Sequence, residues 1–183
     1  MHSNIIGTGS CLPQKELTNF DLEGMVDTTD EWIRQRVGVQ KRYIVDGKET
    51  LHSIAHEASL KALAAAGLEP NDIDLVIVGT VSADCVFPSC ACLLQQSLGI
   101  SNQSPAFDVS AACAGFIFAL NTADQFIKSG SSKNALVVGA DTLSKYVDWS
   151  DRSTCVLFGD GAGAVVLQAK DSAGIVATEL HCE

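Results

Sequence analysis

Between Asp74 and Thr80 the chain reads Leu75-Val76-Ile77-Val78-Gly79, an unbroken apolar run rich in β-branched residues. A strand with one wet face alternates polar and apolar side chains; a strand with no polar positions must be covered on both faces. Ala135 to Ala140 repeats the pattern. Two such strands demand helices on either side of a sheet, and the chain supplies them. Leu51 to Ala66 carries an apolar stripe of Leu51, Ile54, Ala55, Ala58, Ala62 and Ala66, with Thr50 placed to cap its start and Gly67 its end. Pro88 to Leu98 predicts a second helix, with Pro88 near its first turn and Gly99 after it. Cys113 to Lys128 predicts a third, with Phe116, Leu120, Ala123 and Ile127 on one face. Alternating strands and helices point to a three-layer α/β unit.

The remaining segments fill in that unit. Ile5 to Gly9 reads as a short strand entering a glycine turn, and Ala106 to Val109 as another strand. Asn19 to Met25 and Thr29 to Arg36 read as short helices. Thr29 caps the second, and Asp30 and Glu31 suit its first turn. Thr154 to Phe158 and Ala164 to Leu167 read as strands around a tight turn at Gly159-Asp160-Gly161-Ala162-Gly163, a hairpin that makes the sheet mixed. Gly174 to Thr178 begins one more strand. No linker or internal repeat divides residues 1–183, which read as one domain. Stopping just after a strand is an odd place for a complete architecture to end.

Charge narrows the function classes. The net charge of −10 argues against general affinity for nucleic acid or for anionic membranes. Yet Arg34, Arg36, Lys41 and Arg42 put four of the twelve basic residues into nine positions. That cluster is either a local anion site or a solvated helix end. The first residues do not read as a secretory signal, and the longest apolar run, near Ala111 to Leu120, is too short to span a bilayer. Seven cysteines predict free thiols in a reducing, cytoplasmic setting.

Cys113 is the first candidate for chemistry. In Ala106-Phe107-Asp108-Val109-Ser110-Ala111-Ala112-Cys113-Ala114-Gly115-Phe116 a strand ends, three small residues turn, and a cysteine opens a long apolar helix. Free amides and the helix dipole favour a thiolate there, and the same amides can hold an oxyanion when a thioester is attacked. Ala112, Ala114 and Gly115 leave room for an acyl chain. On pattern alone the alternative is a small buried apolar residue. Cys85, Cys90 and Cys92 lack the spacing of a zinc site, and Cys11, Cys155 and Cys182 read as core. His52 and His56, four apart on a helix, read as a surface or half-buried pair and not as metal ligands. Gly159, Gly161 and Gly163 resemble a dinucleotide fingerprint, but a strand follows them where a helix should. Trp32 with Arg36 on one helical face is either a sandwich for a planar base and its phosphates or a surface anchor.

Several separate segments are together similar to one family. Ile5-Ile6-Gly7-Thr8-Gly9-Ser10 with Leu12-Pro13, Asp27-Thr28-Thr29-Asp30-Glu31-Trp32-Ile33 with Arg36 and Gly38, Phe107-Asp108-Val109 through Cys113-Ala114-Gly115-Phe116, and Phe158-Gly159-Asp160-Gly161-Ala162-Gly163-Ala164 resemble the N-terminal half of β-ketoacyl-acyl-carrier-protein synthase III. The cysteine segment is shared across thiolase-fold enzymes; the Asp-Glu-Trp-Ile segment is more specific. The resemblance implies a thiolase-like fold, these residues forming one αβα half of a five-layer αβαβα architecture. It implies that Cys113 accepts an acyl group, that Thr28, Trp32, Arg36 and Arg152 meet coenzyme A, and that Leu143, Leu157 and Phe158 line an acyl pocket. Phe87 would reach into the pocket of a partner across a homodimer interface. The reaction implied is a decarboxylative condensation of acetyl-coenzyme A, or another short acyl-coenzyme A, with malonyl-acyl carrier protein. It calls for no metal and no cofactor beyond the coenzyme A thioester that is its substrate.

The resemblance departs at one point. The family's catalytic histidine and asparagine belong to a second half, and His2, His52, His56 and His181, the only histidines here, stand in no such motif. The residues in hand are therefore expected to be a fragment that carries the nucleophile without the decarboxylation machinery. Competing readings are a thiolase-fold synthase with another acceptor, of the 3-hydroxy-3-methylglutaryl or quinolone type, a noncatalytic thiolase-fold dimerisation module, and, more remotely, a Rossmann-type nucleotide binder.

Overall fold

A computed structural model describes residues 1–181. Its centre is a five-stranded sheet in the order β1-β7-β6-β4-β5. The strands are β1 (His2–Cys11), β4 (Leu75–Gly79), β5 (Ala106–Val109), β6 (Asn134–Thr142) and β7 (Asp160–Lys170). All five residues of β4 are buried, and β4 runs parallel to both of its neighbours. Period-two alternation then sorts the side chains. Val76 and Val78, with Leu136 and Val138, face helices α3 (Leu51–Ala66) and α4 (Cys90–Ser97). Leu75 and Ile77, with Ala135 and Val137, face α5 (Gly115–Lys128). The apolar runs are continuous because each strand serves two cores.

Helix α3 occupies the span the sequence predicts, between Thr50 and Gly67. The Thr50 hydroxyl accepts from the Ser53 amide at 3.1 Å and the Ser53 hydroxyl accepts from the Thr50 amide at 2.9 Å, which closes a capping box. Gly67 ends it at φ +66°. Ser89, and not Pro88, caps α4, so Pro88 lies outside the helix.

The N-terminal strand differs from expectation. Gly7 and Gly9 make no turn; they lie inside the ten-residue β1. A Cβ at Gly7 would sit 2.3 Å from the Ala62 carbonyl oxygen, and one at Gly9 2.2 Å from that of Ala58. These glycines let α3 press its backbone onto the strand.

The glycine cluster at 159–163 also differs. Residues 160–170 are one long strand, antiparallel to β6 and to β1, so no hairpin turns there. The sheet is mixed because β7 runs against both neighbours. Thr154 to Phe158 is not a strand either. Asp151 caps a short helix α6 (Arg152–Cys155) by accepting from the Ser153 amide at 2.9 Å. Cys155 and Val156 bury against Leu22 and Ile33 and not in the sheet. Gly174 to Thr178 has no regular structure.

That third cluster joins a small lobe. Helices α1 (Asn19–Glu23) and α2 (Asp30–Val37) sit between β2 (Lys15–Thr18) and β3 (Lys41–Ile44), an antiparallel pair that the sequence reading does not contain. Thr29 caps α2 through the Trp32 amide at 3.1 Å, as expected.

Candidate active site

Three strands place glycines at one level of the sheet: Gly79 of β4 faces Gly139 of β6, which faces Gly163 of β7. All three follow the alternation onto the α5 side. The start of α5 rests on this floor. A Cβ at Gly79 would lie 2.5 Å from the Gly115 carbonyl carbon, and one at Gly139 3.0 Å from Phe116 Cβ. Only bare backbone lets α5 begin here.

Cys113 lies just before that helix, in a single 3-10 turn over Ala112–Ala114, and not at the first helical position. The residue before it, Ala112, holds φ +45°, a left-handed conformation that costs a non-glycine residue about 1 kcal/mol or more. The bend swings Cys113 outward. It is exposed, so it is not a core cysteine. No side chain caps the first turn of α5, unlike those of α2, α3 and α4; the amide of Gly115 donates instead to the Ala112 carbonyl, across the turn that holds Cys113.

Cys113 opens onto a cavity of about 530 Å³, bounded by Gly79, Phe116, Gly139, Gly163 and Asp141. Asp141 Oδ1 accepts from the Thr80 hydroxyl at 3.1 Å, the Val81 amide at 3.0 Å and the Ser82 hydroxyl at 2.7 Å. It ties the loop after β4 to the end of β6. No histidine lines this cavity. Three other thiols are set apart by burial, which pushes Cys90 up to about 12, with the Asp108 and Asp84 carboxylates adding to the shift. Burial also raises Cys11 and Cys155.

The second group of candidates meets in the small lobe. The Arg152 guanidinium lies 4.8 Å from the Trp32 ring centre and that of Arg36 5.9 Å. Arg152 Nη1 donates to the Asp27 carbonyl at 2.8 Å. The neighbouring Thr28 hydroxyl is buried and has no hydrogen-bond partner. The basic cluster does not act as one patch. Arg34 pairs with Asp30 at 2.8 Å, Lys41 with Glu16 at 2.7 Å, and Arg42 is buried, which leaves Arg36 beside Trp32.

The acyl-pocket candidates separate. Leu143 and Phe158 line a distinct cavity of about 280 Å³ with Tyr146 and Val147. Leu157 is 47% exposed and lines neither cavity. Phe87 is 87% exposed and stands clear of both. Among the described residues no three His, Cys, Asp or Glu side chains gather to hold a metal, so Cys85, Cys90 and Cys92 form no such group. The rings of His52 and His56 lie 6.3 Å apart on α3, tilted by 37°, outside both cavities. The sequence reading overlooks Gly79, Gly139 and Asp141. A glycine near the end of each buried apolar run was the signal for the first two.

Comparison with known proteins extends the picture. The family model for 3-oxoacyl-[acyl-carrier-protein (ACP)] synthase III matches residues 107–183. Beta-ketoacyl-[acyl-carrier-protein] synthase III of Xanthomonas campestris pv. campestris (strain 8004) is 56% identical over 183 residues, 100% of this chain and 56% of that protein. The crystal structure of 3-oxoacyl-[acyl-carrier-protein] synthase III from Aquifex aeolicus VF5 superposes with a TM-score of 0.90 at 54% identity, covering 93% of this chain and 55% of that one. The priming beta-ketosynthase of the R1128 polyketide biosynthetic pathway gives 0.89 at 38% identity, covering 93% and 51%. The chain thus spans about half the length of the relatives it matches, and over that span the fold is theirs.

Proposed function

The chain belongs to the β-ketoacyl-[acyl-carrier-protein] synthase III family, of whose members it spans about half, and from that premise we propose that Cys113 accepts a short acyl group from a coenzyme A thioester and presents it for condensation with a malonyl group on acyl carrier protein. The observation that carries this reading is the placing of Cys113. It is an exposed thiol behind a strained residue, at an uncapped helix start, on a cavity with a glycine floor.

In the first step the Cys113 thiolate attacks the thioester carbonyl carbon. The oxyanion that forms lies within the field of the leading α5 amides. The bond to the coenzyme A sulfur breaks, coenzyme A leaves as a thiolate and takes up a proton, and the acyl group stays on Cys113. In the second, the malonyl thioester loses carbon dioxide and the carbanion attacks the acyl-cysteine carbonyl. A carbon–carbon bond forms, the carbon–sulfur bond to Cys113 breaks, and the thiolate returns. Two half-reactions sharing one covalent intermediate give ping-pong kinetics.

For coenzyme A, the support lies in Trp32 with Arg36 and Arg152 beside its ring, and in the unpartnered Thr28 hydroxyl. Leu143 and Phe158 support an apolar acyl pocket, while Val86 and Phe87, 103% and 87% exposed, support cover by a second copy. Residues 1–183 act in this reading as one half-domain, and the site needs no metal or further cofactor. No helix among the described residues is long and apolar enough to cross a membrane.

The test is to incubate the intact gene product with acetyl-coenzyme A and map acetylation by mass spectrometry. An acetyl group on Cys113, lost in Cys113→Ser, is expected. A folded protein that stays unmodified there refutes the proposal.

A further inference from the structure

Arg42 is the least expected side chain in the small lobe. It lies on β3 with 3% of its surface exposed, and none of its hydrogen-bond partners among the described residues is a carboxylate. Nη1 donates to the Asn19 Oδ1 atom at 2.7 Å, Nη2 donates to the Val156 carbonyl, and Nε is buried with no partner. Burial pushes its pKa below the ordinary value. An apolar side chain would fill this space without desolvating a charge, so stability alone is a poor reason for an arginine here.

Its contacts join two bodies. Asn19 is fully buried and passes the link on: its Nδ2 donates to Asp30 Oδ1 at 2.8 Å and to the Val39 carbonyl at 2.9 Å. Asp30 opens α2, the helix of Trp32 and Arg36. Val156 ends α6, the helix of Arg152. Gly159, which lines the Cys113 cavity, clasps the same side chain, since a Cβ there would meet Arg42 Cβ at 3.0 Å. A planar guanidinium fork can donate in two fixed directions at once; an ammonium is a point charge.

We infer that Arg42 is a positioning residue: it fixes the spacing between the Trp32 wall and the Arg152 wall of the nucleotide site and so sets affinity for the nucleotide part of an acyl donor. The inference rests on the coenzyme A reading above, and its test separates the two. In the intact gene product, the saturation of Cys113 acetylation is measured with acetyl-coenzyme A and with acetyl-pantetheine, which has the same thioester and no nucleotide. Arg42→Lys and Arg42→Met each raise the half-saturating acetyl-coenzyme A concentration about tenfold. Maximal rate, and both constants for acetyl-pantetheine, stay within about twofold. Trp32→Ala likewise raises the half-saturating acetyl-coenzyme A concentration.

If Trp32→Ala shifts acetyl-coenzyme A and neither Arg42 variant does, the positioning role is wrong. Equal loss with both donors also overturns it, because that marks a structural role only. If Trp32→Ala and Arg152→Ala change nothing, the coenzyme A reading itself has failed and takes this inference with it. Should Arg42→Met not fold, Arg42→Lys and Asn19→Asp decide. Asn19→Asp keeps the oxygen that accepts from Arg42 but loses the donor to Asp30, and it must give the same donor-specific loss.

Discussion

Replacing Gly79 by alanine tests whether the glycine floor sets the position of the nucleophile. The new Cβ would lie 2.5 Å from the Gly115 carbonyl carbon, 2.7 Å from its oxygen and 2.8 Å from the Phe116 nitrogen. All three are backbone atoms, so no rotamer change relieves the clash. Ordinary contact begins near 3.4 Å, and the start of α5 must retreat by about 1 Å to reach it. Overpacking of this kind costs about 1–3 kcal/mol of stability. A domain with about 5–15 kcal/mol of stability stays folded after that loss. Acylation suffers more, because a 1 Å misplacement of a reacting group costs about 100-fold in rate. Urea unfolding measures the first effect, and rapid-quench mass spectrometry of Cys113 acetylation the second. Gly163→Ala is the control for stability, since its Cβ would meet nothing within 4 Å on the same floor. If Gly79→Ala acetylates Cys113 at the wild-type rate, the floor does not set the nucleophile.

Alkylation near pH 8 should modify exposed Cys113 in the native protein while sparing buried Cys90, held at about 12; peptide mapping that finds Cys90 labelled as fast as Cys113 contradicts this. Burial alone would raise the Asp84 carboxyl, but the Lys145 ammonium and the His52 and Leu51 amides outweigh it and hold the carboxyl below its usual range. Its contribution to stability is therefore complete above the unfolded pKa and is lost as pH falls through the folded one, so Asp84→Asn should flatten the acid limb of a stability–pH curve. Thr50→Ala removes half of the α3 capping box and should cost about 1 kcal/mol in denaturant unfolding.

What the sequence reveals follows the range of the forces involved. Helix α3 is legible to the residue because its cap, its stripe and its terminal glycine are all local. Strand β4 is legible because burial on two faces removes every polar residue. The segment 154–163 fails for the opposite reason. Thr154 to Phe158 is apolar because it buries against α1 and α2, and nothing nearby in sequence shows that the covering partner is helical. Gly159, Gly161 and Gly163 look like a turn because glycine is read first as freedom of φ. None of the three has a positive φ. Gly159 makes room for Arg42, and Gly163 leaves the cavity open. Cys113 falls between these cases. The helix start behind it is legible, but the left-handed Ala112 and the strand register that brings Gly79 under Gly115 are not.

The arginines of the small lobe divide their work by burial. In this structure the Arg152 guanidinium lies over the Trp32 ring, 4.8 Å from its centre. On the proposed function a base that stacks there displaces it, at the cost of its hydrogen bond to the Asp27 carbonyl. Its carboxylate neighbour Asp27 is 4.0 Å away and exposed, a pair worth about 0–1 kcal/mol. The exposed cation–π contact adds about 0.5–1 kcal/mol, which stacking of the base replaces. The displaced guanidinium is then free to meet phosphate with paired donors. Arg42 has no such freedom, since each link it makes is buried and anchored in a different element. On the proposed function, Arg152 is the arginine that moves and Arg42 the one that keeps Trp32 and α6 in register while it does.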